Sequence, residues 1–231
     1  MRFSRRILLI LVSIGLVASA ASAQTVLYNN LSSPIDYYYP IGPIYNSFST
    51  GSTGLVLSDV KLNLEFLDGA PTGFSVGLYA DSSATPGTLI QSLGSMSDSA
   101  ISGNGAVYDF PVSPGVSLAA NTRYWIGLTT SNGSNTGWAT TDSTSGTGVL
   151  GAWTCFDYVL TSATTRPTAK PRGFPVGCFQ NTAGSFIMEV TATAPAAATA
   201  PALSFSGMLV LTLLLAASAA LFLRRSSPVQ S

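Results

Sequence analysis

Histidine is absent from the chain, and charged residues are few. The 231 residues include no histidine, two cysteines, and ten basic and ten acidic side chains, so charged residues make up 9% of the sequence. Without histidine there is no Ser-His-Asp or Cys-His triad, no histidine metal ligand and no general base of the usual kind near neutral pH. Two cysteines alone also make a poor zinc site. We therefore expect a protein that is not an enzyme and holds no cofactor or metal.

A sustained helical period is also missing between the two ends of the chain, and the long apolar runs are confined to those ends. Near the start, three arginines precede an uncharged apolar run at 7–17, and Ala21 and Ala23 supply the small residues of a cleavage site. This pattern is typical of a secretory signal. It predicts export through the Sec machinery and removal of residues 1–23 by signal peptidase, which leaves Gln24 as the first residue.

The second apolar run lies near the C-terminus. Residues 203–223 carry no charge and are followed by Arg224 and Arg225, which is the length and charge pattern of a transmembrane helix with its basic end in the cytoplasm. Residues 224–231 would then form a cytoplasmic tail. Because both ends place positive charge inside, the middle of the chain is expected in the periplasm or at the cell surface. We expect anchoring in the inner membrane, at least transiently.

The exported middle part is acidic. It keeps five basic residues against ten acidic ones, a net charge of −5, and such a surface repels the phosphate backbone of nucleic acids. Residues 24–190 have the length of one domain. Residues 191–202 are almost entirely alanine, threonine and proline, too poor in large apolar groups to fold. We expect a single domain joined by this linker to the C-terminal helix, and no nucleic-acid partner.

Alternation of apolar and polar residues predicts the fold. It runs through 59–66, 74–80, 106–112 and 124–128, with glycine and proline between the runs. Short strands at this spacing are typical of an all-β protein, here a single antiparallel β-sandwich, jelly-roll-like, with about eight to ten strands. The alternation assigns to the core Leu62, Leu64, Phe66, Val76, Leu78, Tyr124, Ile126 and Leu128.

The two cysteines, Cys155 and Cys178, both lie in the exported part. In an oxidising compartment such a pair forms one structural disulfide; two free buried thiols are the alternative. Between them, residues 161–177 contain three basic residues and three prolines, a composition typical of a surface loop. We expect the disulfide to close the base of this loop.

Five segments carry a family resemblance. They are FSTG at 48–51, LSDVKL at 57–62, FSVGLY at 74–79, PGTLI at 86–90 and LAANTRYWI at 118–126. In their order and spacing they resemble the choice-of-anchor R domain, a family of exported bacterial proteins named for their variable C-terminal anchors. The resemblance implies an exported domain with a separate anchor, and it implies no catalytic activity.

The C-terminal tail resembles the IPTL-CTERM sorting signals, which work by the same logic as PEP-CTERM tails. The residues that fit the family pattern are Pro201, Leu203, Ser204, Gly207 and Met208. The resemblance implies recognition by a sorting or processing protease in the membrane, with loss of the segment that follows the proline. An ordinary C-terminal anchor that stays in the membrane is the alternative.

Aromatic residues supply the candidate ligand contacts. The tyrosines at 37–39 and the three tryptophans could stack on sugar rings, or they could fill the core of the sandwich. We select Tyr38 and Trp125 as possible ligand-facing side chains. Trp125 lies in the opposite phase from Tyr124 and Ile126 and is therefore expected to be exposed.

Aspartates in turns give a second candidate site. Asp81, Asp98, Asp109 and Asp142 lie in or near Gly/Ser-rich turns. Aspartate at such a position either binds calcium or stabilises the backbone of the turn. None of the four has the spacing of a dedicated calcium loop, which favours the turn interpretation.

The two glutamates, Glu65 and Glu189, are expected on the solvent side of their strands. A glycosidase needs two carboxylates that face each other across a cleft, so this placement does not favour a glycosidase.

The sequence patterns together favour a non-catalytic structural or adhesive surface module that contacts extracellular matrix or polysaccharide. A carbohydrate-binding module, with or without calcium, is the alternative, and a polysaccharide hydrolase comes third.

Overall fold

The fold is all-β. The computed structural model describes residues 23–69, 72–130, 134–156, 177–181 and 185–196, and these residues form thirteen strands and one short 3-10 helix. The chain divides into two compact units, 1–195 and 196–231. All of these strands belong to the first unit, and the second lies almost entirely outside the described residues. The all-β prediction is confirmed.

The strands are labelled in chain order. They are β1 (Gln24–Asn29), β2 (Tyr37–Pro40), β3 (Ile44–Ser49), β4 (Leu55–Phe66), β5 (Phe74–Asp81), β6 (Pro86–Met96), β7 (Ala106–Leu118), β8 (Arg123–Thr129), β9 (Thr136–Thr141), β10 (Trp153–Phe156), β11 (Gly177–Gln180), β12 (Ser185–Phe186) and β13 (Met188–Thr193). The 3-10 helix, Asp98–Ala100, follows β6.

The strands form two antiparallel sheets that pack face to face. In the six-stranded sheet the order is β11-β10-β3-β8-β5-β6. In the seven-stranded sheet it is β1-β13-β4-β9-β12, with β2 beside β9 and β7 beside β4. Residues of both sheets share one hydrophobic core, which is the two-layer arrangement of a β-sandwich.

The core lies where the alternation placed it. Strands β4, β5 and β8 send every second side chain between the sheets. Seven of the eight predicted core residues are buried, namely Leu62, Leu64, Val76, Leu78, Tyr124, Ile126 and Leu128. Phe66, at the end of β4, is half-buried and packs against the same core.

Strand β3 shows why the described residues hold more strands than the predicted eight to ten. Its first five residues are all buried. Asn46 is a polar residue that points towards the main core, and the side chains of Tyr45 and Ser47, which point the other way, are covered as well. The Oδ1 atom of Asn46 accepts from Thr154 Oγ1 at 2.9 Å and from the backbone N–H of Phe186 at 3.2 Å. A strand buried on both faces carries no alternating pattern in its sequence, so alternation does not reveal it.

The end of the domain also differs from the prediction. Strand β13 continues to Thr193, so residues 191–193 belong to the sheet and not to a linker that begins at 191. Thr191 and Ala192 are buried between β1 and β4. Small side chains suffice here because a central strand is held by backbone hydrogen bonds on both edges.

The two ends of the sandwich are unlike. Gln24 opens β1 opposite Thr193 of β13, so both chain ends of the domain lie at one end, called the termini end. The short connections β3–β4, β5–β6 and β7–β8 also turn at the termini end. The opposite end, called the loop end, carries the connections 67–73, 97–105 and 130–135.

Several predictions concern residues outside the described ranges. They are the signal segment before residue 23, most of the loop at 161–177, most of the linker, the sorting motif, the apolar run 203–223 and the basic tail. Within the described ranges, no helix has both the length and the apolar character needed to cross a membrane.

The predicted disulfide is present. Cys155 of β10 and Cys178 of β11 are direct cross-strand partners, and their sulfur atoms are bonded. Because β11 has only four residues and pairs with β10 alone, the disulfide adds a covalent link to a short edge strand. It closes a chain segment of 23 residues.

We predict that the double substitution Cys155→Ala and Cys178→Ala lowers the free energy of unfolding by about 3 kcal/mol, because the open chain gains conformational entropy when unfolded. Urea unfolding of the purified protein, with and without reductant, measures this. Reductant should destabilise the wild type by a similar amount and leave the double variant unchanged. Equal stability of the wild type and the variant under oxidising conditions would contradict the prediction.

Candidate functional site on the outer face of the six-stranded sheet

Trp125 lies on the outer face of the six-stranded sheet but is not exposed. In β8, Tyr124 and Ile126 enter the core between the sheets, while Trp125 points the opposite way and joins a separate cluster. The predicted phase is therefore right. The predicted exposure is wrong, because 0% of the residue is accessible to solvent. A second layer of side chains covers this face.

The second layer is a small aromatic cluster, called here the outer cluster. Its buried members, with two half-buried residues packed against them, are Tyr45, Tyr79, Trp125, Cys155, Trp153 and Cys178. Consecutive cross-strand pairing places Cys178, Cys155, Tyr45 and Gly127 in one row. Trp125 and Tyr79 pair in the next row. The outer cluster thus ties together five of the six strands.

Two glycines make room for the tyrosines of the outer cluster. Gly127 of β8 pairs with Gly77 of β5 and with Tyr45 of β3. A Cβ atom on Gly127 would overlap the Tyr45 ring and lie 2.7 Å from Cε2 of Tyr79. The two rings meet edge to face, with centroids 5.2 Å apart, a favourable aromatic geometry. The missing side chains therefore let both rings lie close to the sheet backbone.

The polar groups beside the outer cluster bind one another. The indole N–H of Trp125 donates to Asp81 Oδ1 at 2.9 Å, and Arg123 Nη1 lies 3.7 Å from the same oxygen. The Arg123 guanidinium lies over the Trp153 ring, 5.7 Å from its centroid, which is within cation–π distance. Trp125 therefore has neither an open ring face nor a free N–H for a ligand.

Tyr38 lies on the other sheet. It belongs to β2 of the seven-stranded sheet, is half-buried, and donates its hydroxyl to Asn63 Oδ1 at 3.2 Å. Burial raises the pKa of the Tyr38 hydroxyl, and the negative charge of Glu65 raises it further. The predicted pair Tyr38 and Trp125 is thus divided between two sheets and does not form one aromatic platform.

A polar groove opens at the loop end of the six-stranded sheet. Its volume is about 800 Å³, and its walls are formed by the ends of β5, β6 and β8. The lining consists of Thr72, Gly73, Phe74, Ser75, Ser95, Met96, Ser97, Thr129 and Thr130. Six of these nine residues carry hydroxyl groups. We call this feature the hydroxyl groove.

Sequence reasoning missed the hydroxyl groove, although one signal was present. Ser75 occupies an outward position of the β5 alternation and pairs with Ser95 of β6 and Thr129 of β8. Three hydroxyl residues therefore form a row across three strands. This row depends on strand pairing, which a single sequence does not specify.

Asp98 stabilises the loop end beside the hydroxyl groove. Its buried carboxylate accepts five hydrogen bonds of 2.6–3.0 Å, two from Thr72 and one each from Ser134, Asn135 and Thr136. Burial alone would raise the pKa of the Asp98 carboxyl. Because the hydrogen bonds outweigh burial, the pKa is lowered below its ordinary value. Asp98 therefore links three loops, as a turn-stabilising aspartate does.

The other three predicted turn aspartates lie apart from Asp98. Asp81 ends β5 at the termini end, Asp109 lies on β7 of the other sheet, and Asp142 is exposed after β9. In the part of the chain that the structure describes, no three side chains of histidine, cysteine, aspartate or glutamate come together as a metal site.

Both glutamates lie on the seven-stranded sheet, and one of them is paired. Glu189 accepts from Lys61 Nζ at 2.9 Å and from the amide of Asn29. Its side chain is only 15% exposed, so it is not the freely solvated charge that its strand phase predicted. Glu65 is half-buried on β4.

Comparison of this chain with protein-family models, curated proteins and solved structures found no match.

We predict that Gly127→Ala lowers the free energy of unfolding by about 1 to 3 kcal/mol, because the new Cβ forces the Tyr45 and Tyr79 rings away from the sheet. The matched control is Gly51→Ala, where an added Cβ meets nothing within 4 Å and the change should stay within about 0.5 kcal/mol. Urea unfolding measures both. Equal effects of the two substitutions would show that the glycine–tyrosine packing does not matter.

We predict that Asp98→Asn lowers the free energy of unfolding by about 3 kcal/mol at pH 7, because an amide cannot accept from all five donors. The folded-state pKa of Asp98 is lowered, so its stabilisation is complete above the unfolded value of about 3.9. It is lost as pH falls through the lower folded-state pKa.

Unfolding measured at pH 7 and in steps below pH 4 tests this, with exposed Asp142→Asn as the control. The difference between wild type and Asp98→Asn should shrink as the pH falls. A difference that stays constant down to the lowest pH would contradict the assigned role of the charge.

Proposed function

We propose that the chain is an exported bacterial surface protein whose β-sandwich is a non-catalytic structural or adhesive module. In this proposal the Sec machinery exports the chain and signal peptidase removes residues 1–23. The segment 203–223 then either anchors the protein in the inner membrane or serves as a sorting signal for a membrane protease. The jelly-roll-like connectivity and the two flanking helices belong to the same proposal.

The observation that carries the non-catalytic proposal is that the buried Asp98 and two half-buried carboxylates are committed to protein partners. Asp98 accepts five hydrogen bonds, Glu189 is held by Lys61, and Asp81 is held by Trp125. Asp59, which is also half-buried, has its Oδ2 atom 4.0 Å from Lys61 Nζ. A general acid or base needs a carboxyl that can exchange a proton with substrate. These carboxylates instead fix loops and strands, which is the use expected in a structural module.

The position of the chain ends supports display at a surface. Gln24 and Thr193 lie side by side at the termini end, so attachment through the C-terminal segment begins from that end. The loop end, with its connections and the hydroxyl groove, lies at the opposite end of the strands. The connections at the loop end are thus the part of the domain that lies away from Thr193, and surface connections of this kind often carry binding residues.

A second candidate function is carbohydrate binding, and the hydroxyl groove favours it. Small-molecule sites are concave and carry a few well-placed polar groups. The earlier basis for this function, an aromatic platform on Trp125, is removed by the burial of that residue. The four turn aspartates lie on separate elements, so they do not form a joint calcium site for it.

We predict that protein from fractionated cells has Gln24 as its first residue, because the small residues before it form the cleavage site. If residues 203–223 are a plain anchor, the intact mass extends to Ser231 and the protein stays in the inner membrane. If they are a sorting signal, the mass ends near Pro201 and the protein leaves that membrane. Both outcomes agree with export; an uncleaved chain in the cytoplasm would contradict it.

The structural role has its own measurement. Cells that lack the gene should lose envelope or biofilm cohesion, and the wild-type gene should restore it. Polysaccharide turnover by the purified full chain would contradict the non-catalytic proposal.

A further inference from the structure

The hydroxyl groove has an uncharged lining. Six lining residues are threonine or serine, and the hydroxyls of two of them, Thr72 and Thr130, donate to groups of the protein itself. Met96 adds partly exposed apolar surface, while the side chain of Phe74 is buried in the main core. A hydroxyl group both donates and accepts hydrogen bonds, so such a lining suits a ligand that is itself covered with hydroxyl groups. It offers no charge to balance an anion or a cation.

The charge near the groove also favours a neutral ligand. Asp98, which follows the lining residue Ser97 in the sequence, is buried and uses its carboxylate for five internal hydrogen bonds. It is therefore not available to bind a cation. The exported part as a whole carries a net charge of −5, which disfavours the approach of polyanions.

The groove is built on paired strands. Ser75 lies opposite both Ser95 and Thr129, and neighbouring strands are about 4.8 Å apart, so three hydroxyl side chains are held in a row. Thr129 also bonds the hydroxyl of Tyr79, which connects the groove to the outer cluster. Thr130 Oγ1 donates to the backbone oxygen of Gly73 at 3.0 Å and joins β8 to the connection before β5. A site on rigid strands loses little entropy when it binds.

The groove also lies at the accessible end of the domain. Ser75, Ser95 and Ser97 are exposed, and the groove is at the loop end, away from Gln24 and Thr193. The groove and Thr193 therefore lie at opposite ends of the strands.

We propose that the hydroxyl groove binds a neutral oligosaccharide segment through the row Ser75, Ser95 and Thr129. This inference rests on the second of the two proposed functions, carbohydrate binding. It names the site and the ligand class, a neutral polyhydroxylated chain.

The test uses the purified full chain in a detergent without a sugar head group. Calorimetric titration is carried out with hexamers of β-1,4-glucose, α-1,4-glucose, β-1,3-glucose and β-1,4-xylose, and with hexagalacturonate as the charged counterpart. The variants are Ser75→Leu and Ser95→Leu, which fill the groove from exposed positions, and the milder double variant Ser75→Ala with Ser95→Ala. The matched control is Ser49→Leu, an exposed outward serine of the same sheet at the termini end.

We expect at least one neutral hexamer to bind, and the leucine variants to weaken that binding by about tenfold or more, since they both block the groove and remove hydroxyl groups. Ser49→Leu should bind like the wild type, and all variants should unfold at similar urea concentrations. If a leucine variant fails to fold, weaker binding by the folded alanine double variant still supports the site.

Other results would overturn the inference in distinguishable ways. Unchanged binding in the folded groove variants would move the site elsewhere and leave carbohydrate binding intact. Stronger binding of hexagalacturonate than of every neutral hexamer would overturn the ligand class. Failure of the wild type to bind any hexamer would overturn both the groove site and carbohydrate binding, while the structural role is judged separately by cell cohesion.

Discussion

The six-stranded sheet depends on the absence of side chains at Gly127 and Gly77. Their positions allow Tyr45 and Tyr79 to lie against the backbone of β8 and β5, and these rings help to form the layer that buries Trp125. The sheet is therefore packed on both faces, with the main core on one side and the outer cluster on the other. A sheet packed in this way gains apolar burial on its outer face, which in a two-layer sandwich usually faces water. The disulfide lies in the same row and extends the packing to the sheet edge.

This packing decides which parts of the molecule are open to a ligand. The three tryptophans that first suggest sugar stacking are occupied: Trp125 by Asp81, Trp153 by Arg123 and Trp138 by Phe186. The buried carboxylate of Asp98 is occupied by loop donors. The exposed polar surface at the loop end consists largely of hydroxyl side chains, and each of them contributes only a weak hydrogen bond to a ligand. Commitment of the strong polar interactions to the protein itself supports the proposed structural or adhesive role.

Sequence patterns predicted the all-β class and nearly all of the selected core, because β4, β5 and β8 alternate strictly. The disulfide was predicted from the two cysteines of the exported part. The same rule could not reveal β3, where Asn46 is buried inside and Tyr45 is covered outside. It placed Trp125 on the correct face, yet phase alone does not say whether a second layer covers that face. The hydroxyl groove depends on which strands pair, since Ser75, Ser95 and Thr129 are distant in sequence. Local periodicity therefore specifies strands and their faces, while pairing specifies the site.

The pairing of the first strand with the last constrains when the domain can fold. Gln24 of β1 bonds to β13 near Thr193, and β13 in turn lies against β4. Both β1 and one edge of β4 lack their hydrogen-bond partner until β13, the last strand, has been synthesised. Native folding therefore requires contacts between residues distant in sequence. This late pairing agrees with the proposed Sec route, which requires a chain that has not yet folded. Because β1 begins directly after the proposed cleavage site, removal of the signal leaves the whole strand available to close the sheet outside the cytoplasm, where an oxidising compartment permits the disulfide.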